Sequence, residues 1–183
     1  MSTPLQILEK YWGHKQFRPL QAAIIDAVMA QKDVLALLPT GGGKSICFQV
    51  PGILLGGTTL VVSPLVALMN DQVQNLKKRG ISAVAISAAM QFKEIEIALD
   101  NAARGHVQFL YVSPERLQNE VFRQKIGHLP VTLIAVDEAH CISEWGHDFR
   151  PEYRNLKGII KQLGDVSIIG LTATATPKVQ EDI

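Results

Sequence analysis

Two short stretches of the 183-residue chain hold the side chains that could do chemistry. The first is PTGGGKS, Pro39 to Ser45, set between the apolar run VLALL and the segment ICFQVP. In such a turn, backbone N–H groups point inward and cradle phosphate oxygens. Thr40, Gly41, Gly42 and Gly43 would form that cradle, the glycines permitting the backbone angles and the close approach. Lys44 would reach the β- and γ-phosphates, and Ser45 would offer its hydroxyl to Mg²⁺. The strict phosphate-loop pattern asks for glycine five positions before Gly43, where this chain has Leu38. An ordinary glycine-rich turn is the competing reading, and the strand–turn–helix setting disfavours it.

The second stretch is VDEAHCISEWGHDFRP, Val136 to Pro151. Its two acids close an apolar run. In an open parallel sheet, ligands bind beyond the carboxyl ends of the strands. Asp137 and Glu138 would therefore share a rim with the glycine turn, Asp137 holding Mg²⁺ through water and Glu138 orienting and deprotonating an attacking water. A solvated acidic turn is the plainer alternative. His140, Cys141, Glu144, His147 and Asp148 raise a third possibility, metal chelation. Neighbouring His and Cys are expected to point apart, and no CxxC or HExxH spacing is present, so no zinc is expected.

The elements that must position these residues are legible as a repeating pattern. Short, continuous, β-branched runs begin near residues 33, 58, 82, 107, 131 and 166. Continuous rather than alternating apolarity is how strands buried on both faces read. Between them lie PLVALMNDQVQNLKKRG and SPERLQNEVFRQKIGHL, with helical spacing. The proline of each SP suits a first helical turn, and Gly80 suits a helix end. The expected fold class is α/β: a mainly parallel sheet with helices on both faces.

Hydrophobic residues make up 47% and the formal net charge is +1, which excludes a disordered chain and gives no global basic signal. Two cysteines, Cys47 and Cys141, are too few for a disulfide scaffold and suggest a reducing compartment. No signal peptide or membrane span is expected, and the terminal TPKVQEDI reads as the start of a helix in a longer protein.

Taken together, PTGGGKS and DEAH resemble the superfamily-two helicases. DEAHCISEWGHDFRPEY resembles the aromatic-rich loop of the RecQ family of DNA helicases, and GHKQFRPLQ, residues 13–21, resembles that family's motif ahead of the phosphate loop. VVSPLVALMNDQV, YVSPERL and GLTATAT follow in the family's order, so the likeness covers the chain from about Leu5 onward. It implies a RecA-like three-layer sandwich spanning residues 1–183, the ATP-binding half of a three-prime to five-prime DNA-unwinding motor of repair and recombination. It implies ATP and Mg²⁺ as ligands, with single-stranded and partly duplex DNA as substrate. A second RecA-like domain carrying an arginine finger, then zinc-binding and winged-helix regions, would follow in the same protein. The location would be cytoplasm or nucleoid in a bacterium and the nucleus in a eukaryote, with no membrane partner.

By position, the resemblance gives Gln21 and Arg18 to the adenine pocket. His14 stands where the family has a tyrosine-like ring, and an imidazole can still stack. His140 becomes the residue that links the acid pair to Thr172 and Thr174, which could equally be strand-end residues satisfying local backbone. Trp145, His147, Phe149 and Arg150 become the segment that senses DNA, against the alternative that the two rings pack into the domain. Ser63, Ser113 and Arg116 fall in motifs that face the strand, although each serine could instead cap a helix. Lys77, Lys78 and Arg79 read as a solvated helix end. The rivals are a small P-loop kinase or transporter ATPase, an idle nucleotide-sensing domain, and a DEAH-type RNA helicase.

Overall fold

The computed structural model describes residues 1–39, 43–146 and 148–183. The expectations for Thr40, Gly41, Gly42 and His147 lie outside the described residues. Six strands form one sheet in the order β1-β6-β5-β2-β4-β3: β1 (Val34–Leu37), β2 (Thr58–Val62), β3 (Ala83–Ile86), β4 (Phe109–Val112), β5 (Val131–Asp137) and β6 (Ser167–Thr172). Every pairing in it is parallel.

The continuous apolar runs are explained by two buried faces. Leu133 and Ala135 of β5 pack with Cys47 and Phe48 of α3 (Ile46–Leu55) and with Met69 and Val73 of α4 (Val66–Lys78). Ile134 and Val136, one residue out of phase, pack on the other face. There they meet α5 (Phe92–Ala103), α6 (Glu120–Ile126) and α7 (Leu156–Leu163) through Leu99, Phe122 and Ile159. Each Leu, Ile, Val, Phe or Met among them taken from water contributes roughly 1.5–3 kcal/mol. Helices α1 (Pro4–Trp12) and α2 (Gln21–Met29) add a small outer cluster, with Ile7, Leu8 and Ile25 against Val50 of α3. A final turn, α8 (Pro177–Asp182), is capped by the Thr176 hydroxyl, which accepts from the Val179 N–H. Among the described residues, no helix is long and apolar enough to cross a membrane.

Two helix boundaries differ from the sequence reading. Pro64 does not start α4, because Leu65 takes the cap position and the helix begins at Val66. SPERLQNEVFRQKIGHL is not one helix. Pro114–Gln118 is a 3₁₀ turn, and the Asn119 side chain accepts from the Phe122 N–H at 3.1 Å to start α6 afresh. Neither Leu65 nor Ser113 supplies a side-chain cap, so the capping role open to Ser63 and Ser113 is not what they do here.

Candidate active site

Strands β1, β6 and β5 are neighbours, so the residues following them line up on one rim. Leu38 explains the departure from the strict phosphate-loop pattern. It is 3% exposed, packs in the core, and its N–H donates to the Thr172 carbonyl, extending the β1–β6 ladder by one residue. Gly43 has φ +75° and its carbonyl accepts from the Gln21 side-chain amide at 3.0 Å. A Cβ there would lie 2.4 Å from that same nitrogen. The backbone angle thus favours glycine, and a Cβ there would push the Gln21 amide off the Gly43 carbonyl. Ser45 precedes α3 without bonding its backbone, which leaves the hydroxyl for another task.

Lys44 Nζ lies 4.0 Å from Glu138 Oε1. Asp137 accepts the Glu138 N–H through Oδ1 at 3.0 Å, and the Tyr153 hydroxyl holds the Asp137 carbonyl at 3.0 Å. Glu138 has φ +52°, the left-handed region that a non-glycine residue occupies at a cost, and such positions gather at functional sites. Its Oε2 faces His140 Nδ1 at 3.6 Å, and the same nitrogen lies 2.8 Å from the Thr172 hydroxyl. That hydroxyl also donates to the Thr174 carbonyl and accepts the Thr174 N–H. Thr172 thus satisfies local backbone and also lies against His140.

Burial holds the Asp137 carboxyl above its ordinary pKa; Lys44 opposes the rise and Glu138 adds to it. A folded-state pKa above the unfolded value means that ionising Asp137 weakens the fold. That cost is absent below the unfolded pKa and grows as pH rises through the folded one. Asp137→Asn keeps an oxygen for the Glu138 N–H. Thermal denaturation should show it melting higher than the parent at about pH 8, with the difference shrinking toward about pH 4.

A cavity of about 790 Å³ opens beside the glycine turn, lined by Trp12, His14, Arg18, Gln21, Gly43 and Ser45 among others. The three residues assigned to a base are thus together. The Gln21 amide is already oriented, its oxygen accepting the Arg18 N–H at 2.8 Å while its nitrogen donates to Gly43. These two bonds use one lone pair and one hydrogen of an amide that has two of each.

The loop after the acids departs from expectation in one respect. His140, Cys141 and Asp148 do not point apart: their ligand atoms lie within 4.8 Å of one another. Cys141 donates to Asp148 Oδ2 at 3.6 Å, and its thiol is pushed up to about 12, chiefly by burial and then by Asp148. Arg150 Nε faces the same carboxylate at 3.8 Å. Trp145 is 64% exposed, so it does not pack into the domain. Phe149 is half-buried under the Arg154 guanidinium, which also pairs with Glu144. On the same rim, Ser63 and Ser113 are buried, and the Ser113 hydroxyl has no partner among the described residues. Arg116 donates to the carbonyls of Ser87, Ala88 and Met90, a loop-holding task with no signal in its own motif.

A rim of this design invites comparison with known proteins. The family model for DEAD/DEAH box helicases matches residues 18–183. The chain belongs to this family. Probable ATP-dependent DNA helicase RecS of Bacillus subtilis is 46% identical over 179 residues, covering 97% of this chain and 36% of that protein. ATP-dependent DNA helicase RecQ of the same organism is 45% identical, covering 97% and 30%. ATP-dependent DNA helicase Q1 of Rattus norvegicus is 40% identical, covering 96% and 30%. The chain thus spans about a third of the length of these RecQ-type relatives. Among solved structures, the Pyrococcus furiosus Hef helicase domain superposes with TM-score 0.70 at 22% identity, covering 90% of this chain and 34% of its own. Mycobacterium smegmatis helicase Lhr, solved with ssDNA and AMP-PNP, gives 0.71 at 21%, covering 96% and 26%. These two likenesses establish the helicase RecA-like fold.

Proposed function

We propose that this chain is the first RecA-like domain, residues 1–183, of a RecQ-type ATP-dependent DNA helicase that unwinds in the three-prime to five-prime direction in repair and recombination. The observation that carries the reading is the run of contacts from Lys44 to Glu138, from Glu138 to His140, and from His140 to Thr172. Along this run a lysine suited to phosphate, an acid suited to act as base and the end of β6 follow one another through His140.

ATP would seat its base in the cavity between His14 and Arg18, with Gln21 at the base edge. Its phosphates would lie along Thr40, Gly41, Gly42 and Gly43, with Lys44 exchanging Glu138 for the β- and γ-phosphates. The hydroxyl of Ser45 and the carboxylate of Asp137 suit Mg²⁺, a hard cation that takes oxygen ligands. Magnesium there would neutralise charge on the phosphates. Glu138 then orients water and takes its proton at the carboxylate, while His140 holds Glu138 against Thr172.

DNA, single-stranded or partly duplex, would cross the rim against Trp145, His147, Phe149 and Arg150, with Ser63, Ser113 and Arg116 along its path. The partner in cis would be a second RecA-like domain. The protein would work in the cytoplasm or nucleoid of a bacterium, or in a eukaryotic nucleus. Trp145→Ala in the intact helicase tests the reading. DNA stimulation of hydrolysis is expected to disappear while fluorescent-nucleotide affinity and melting temperature hold. Loss of all three together would return Trp145 to a packing role. Stimulation by RNA alone in a competition with DNA would reassign the strand.

A further inference from the structure

Trp145 does not stand alone on the rim: the Lys178 ammonium lies 3.5 Å from the centroid of its ring. We propose that Lys178 is a positioning residue for strand binding, pinning the Trp145 indole by one face so that the other meets an incoming nucleobase. The proposal rests on the reading of the chain as a DNA-dependent helicase domain.

The backbone beneath Trp145 is fixed. Its N–H donates to the Ser143 hydroxyl at 3.1 Å, and Ser143 is buried. The Gly146 N–H donates to the Ser143 carbonyl at 3.1 Å, and a Cβ on Gly146 would meet the His140 carbonyl at 2.9 Å, so the turn behind the ring is held tight. The side chain above it is 64% exposed, and the ring contact made to it among the described residues is the cation over its face. That cation is itself on a firm base. Val179, next to it in α8, is 3% exposed, and the Gln180 amide donates to the Ala175 carbonyl at 2.9 Å.

The contact also closes a ring of interactions. Helix α8 follows the segment in which Thr172 bonds Thr174, and Thr172 meets His140. The Ser143 N–H donates to the His140 carbonyl at 3.2 Å, and Ser143 holds Trp145. Trp145 is therefore tied to the histidine beside Glu138 from both sides, through its own loop and through Lys178. A base stacked on the open ring face adds to the cation–π contact rather than replacing it. An ammonium has three donors, so a flanking phosphate can also accept from Lys178.

The test uses the 183-residue chain with Trp12→Phe, which leaves Trp145 as its one tryptophan. Iodide quenching of that indole reports the nearby cation, and anisotropy of a labelled oligothymidylate reports binding. Lys178→Met is expected to lower iodide quenching and to weaken binding about two- to fivefold. Its logarithmic salt slope should be shallower by about 0.7, the share of one single-strand phosphate contact. Lys178→Arg should restore all three. Unchanged iodide quenching, or binding by Lys178→Met as tight as or tighter than the parent's, overturns the proposal. If Trp145→Ala binds as the parent does, or neither binds, the strand reading itself fails and Lys178 falls with it. Loss in Trp145→Ala with none in Lys178→Met refutes Lys178 alone.

Discussion

Glu138→Gln is expected to slow ATP hydrolysis by about 10²–10⁴-fold in the intact helicase while nucleotide still binds, the range by which a positioned general base contributes. Glutamine keeps the length of the side chain but cannot take a proton from water. The pair lost with Lys44 is a 4.0 Å contact between side chains 21% and 24% exposed, so the fold should lose no more than about 1 kcal/mol. Single-turnover hydrolysis and fluorescent-nucleotide affinity, measured on the same variant, separate the base from the binding site. A rate within about tenfold of the parent's would place the base elsewhere.

A second large effect is expected from completing the site. Lys44 and Glu138 keep 21% and 24% of their side-chain surface exposed, and any water reaching such a rim would weaken the stabilisation of charge on a transferred phosphoryl group. An arginine finger from a second RecA-like domain would raise the rate by about 10³–10⁵-fold, or roughly 4–7 kcal/mol of barrier. The 183-residue chain should therefore bind nucleotide weakly, hydrolyse it slowly and unwind nothing, whereas a chain extended through that domain should hydrolyse rapidly when DNA is added. Steady-state hydrolysis with and without DNA on both proteins decides this. Robust DNA-stimulated turnover by the shorter chain would contradict it.

The sheet was legible in the sequence because its central strands are buried on both faces, as Leu133–Val136 shows by dividing its four side chains between two clusters. Asp137 and Glu138 could be placed on the rim by a general property of parallel sheets. Contacts made across the fold were less legible. Leu38 reads as a defect in the glycine pattern, whereas its N–H continues a ladder to Thr172, more than a hundred residues away. Adjacent His140 and Cys141 would diverge in an extended strand, but Ala139–Ile142 is a 3₁₀ turn that brings both toward Asp148. Asn119 carries the ordinary signature of a helix start, masked because helical spacing continues on both sides. Lys178 and Arg116 have no signal at all in their own motifs, since what defines them is a ring or a loop supplied from elsewhere.

The central claim is that a nucleotide's phosphates and its magnesium lie between Lys44 and the Asp137–Glu138 pair. Its most direct test is the magnesium dependence of nucleotide affinity, measured by titrating a fluorescent ADP analogue into the parent chain and into Asp137→Asn. The account predicts tighter binding with magnesium in the parent, and in the variant a magnesium-independent affinity together with a higher melting temperature. Magnesium dependence that survives intact in Asp137→Asn would contradict it.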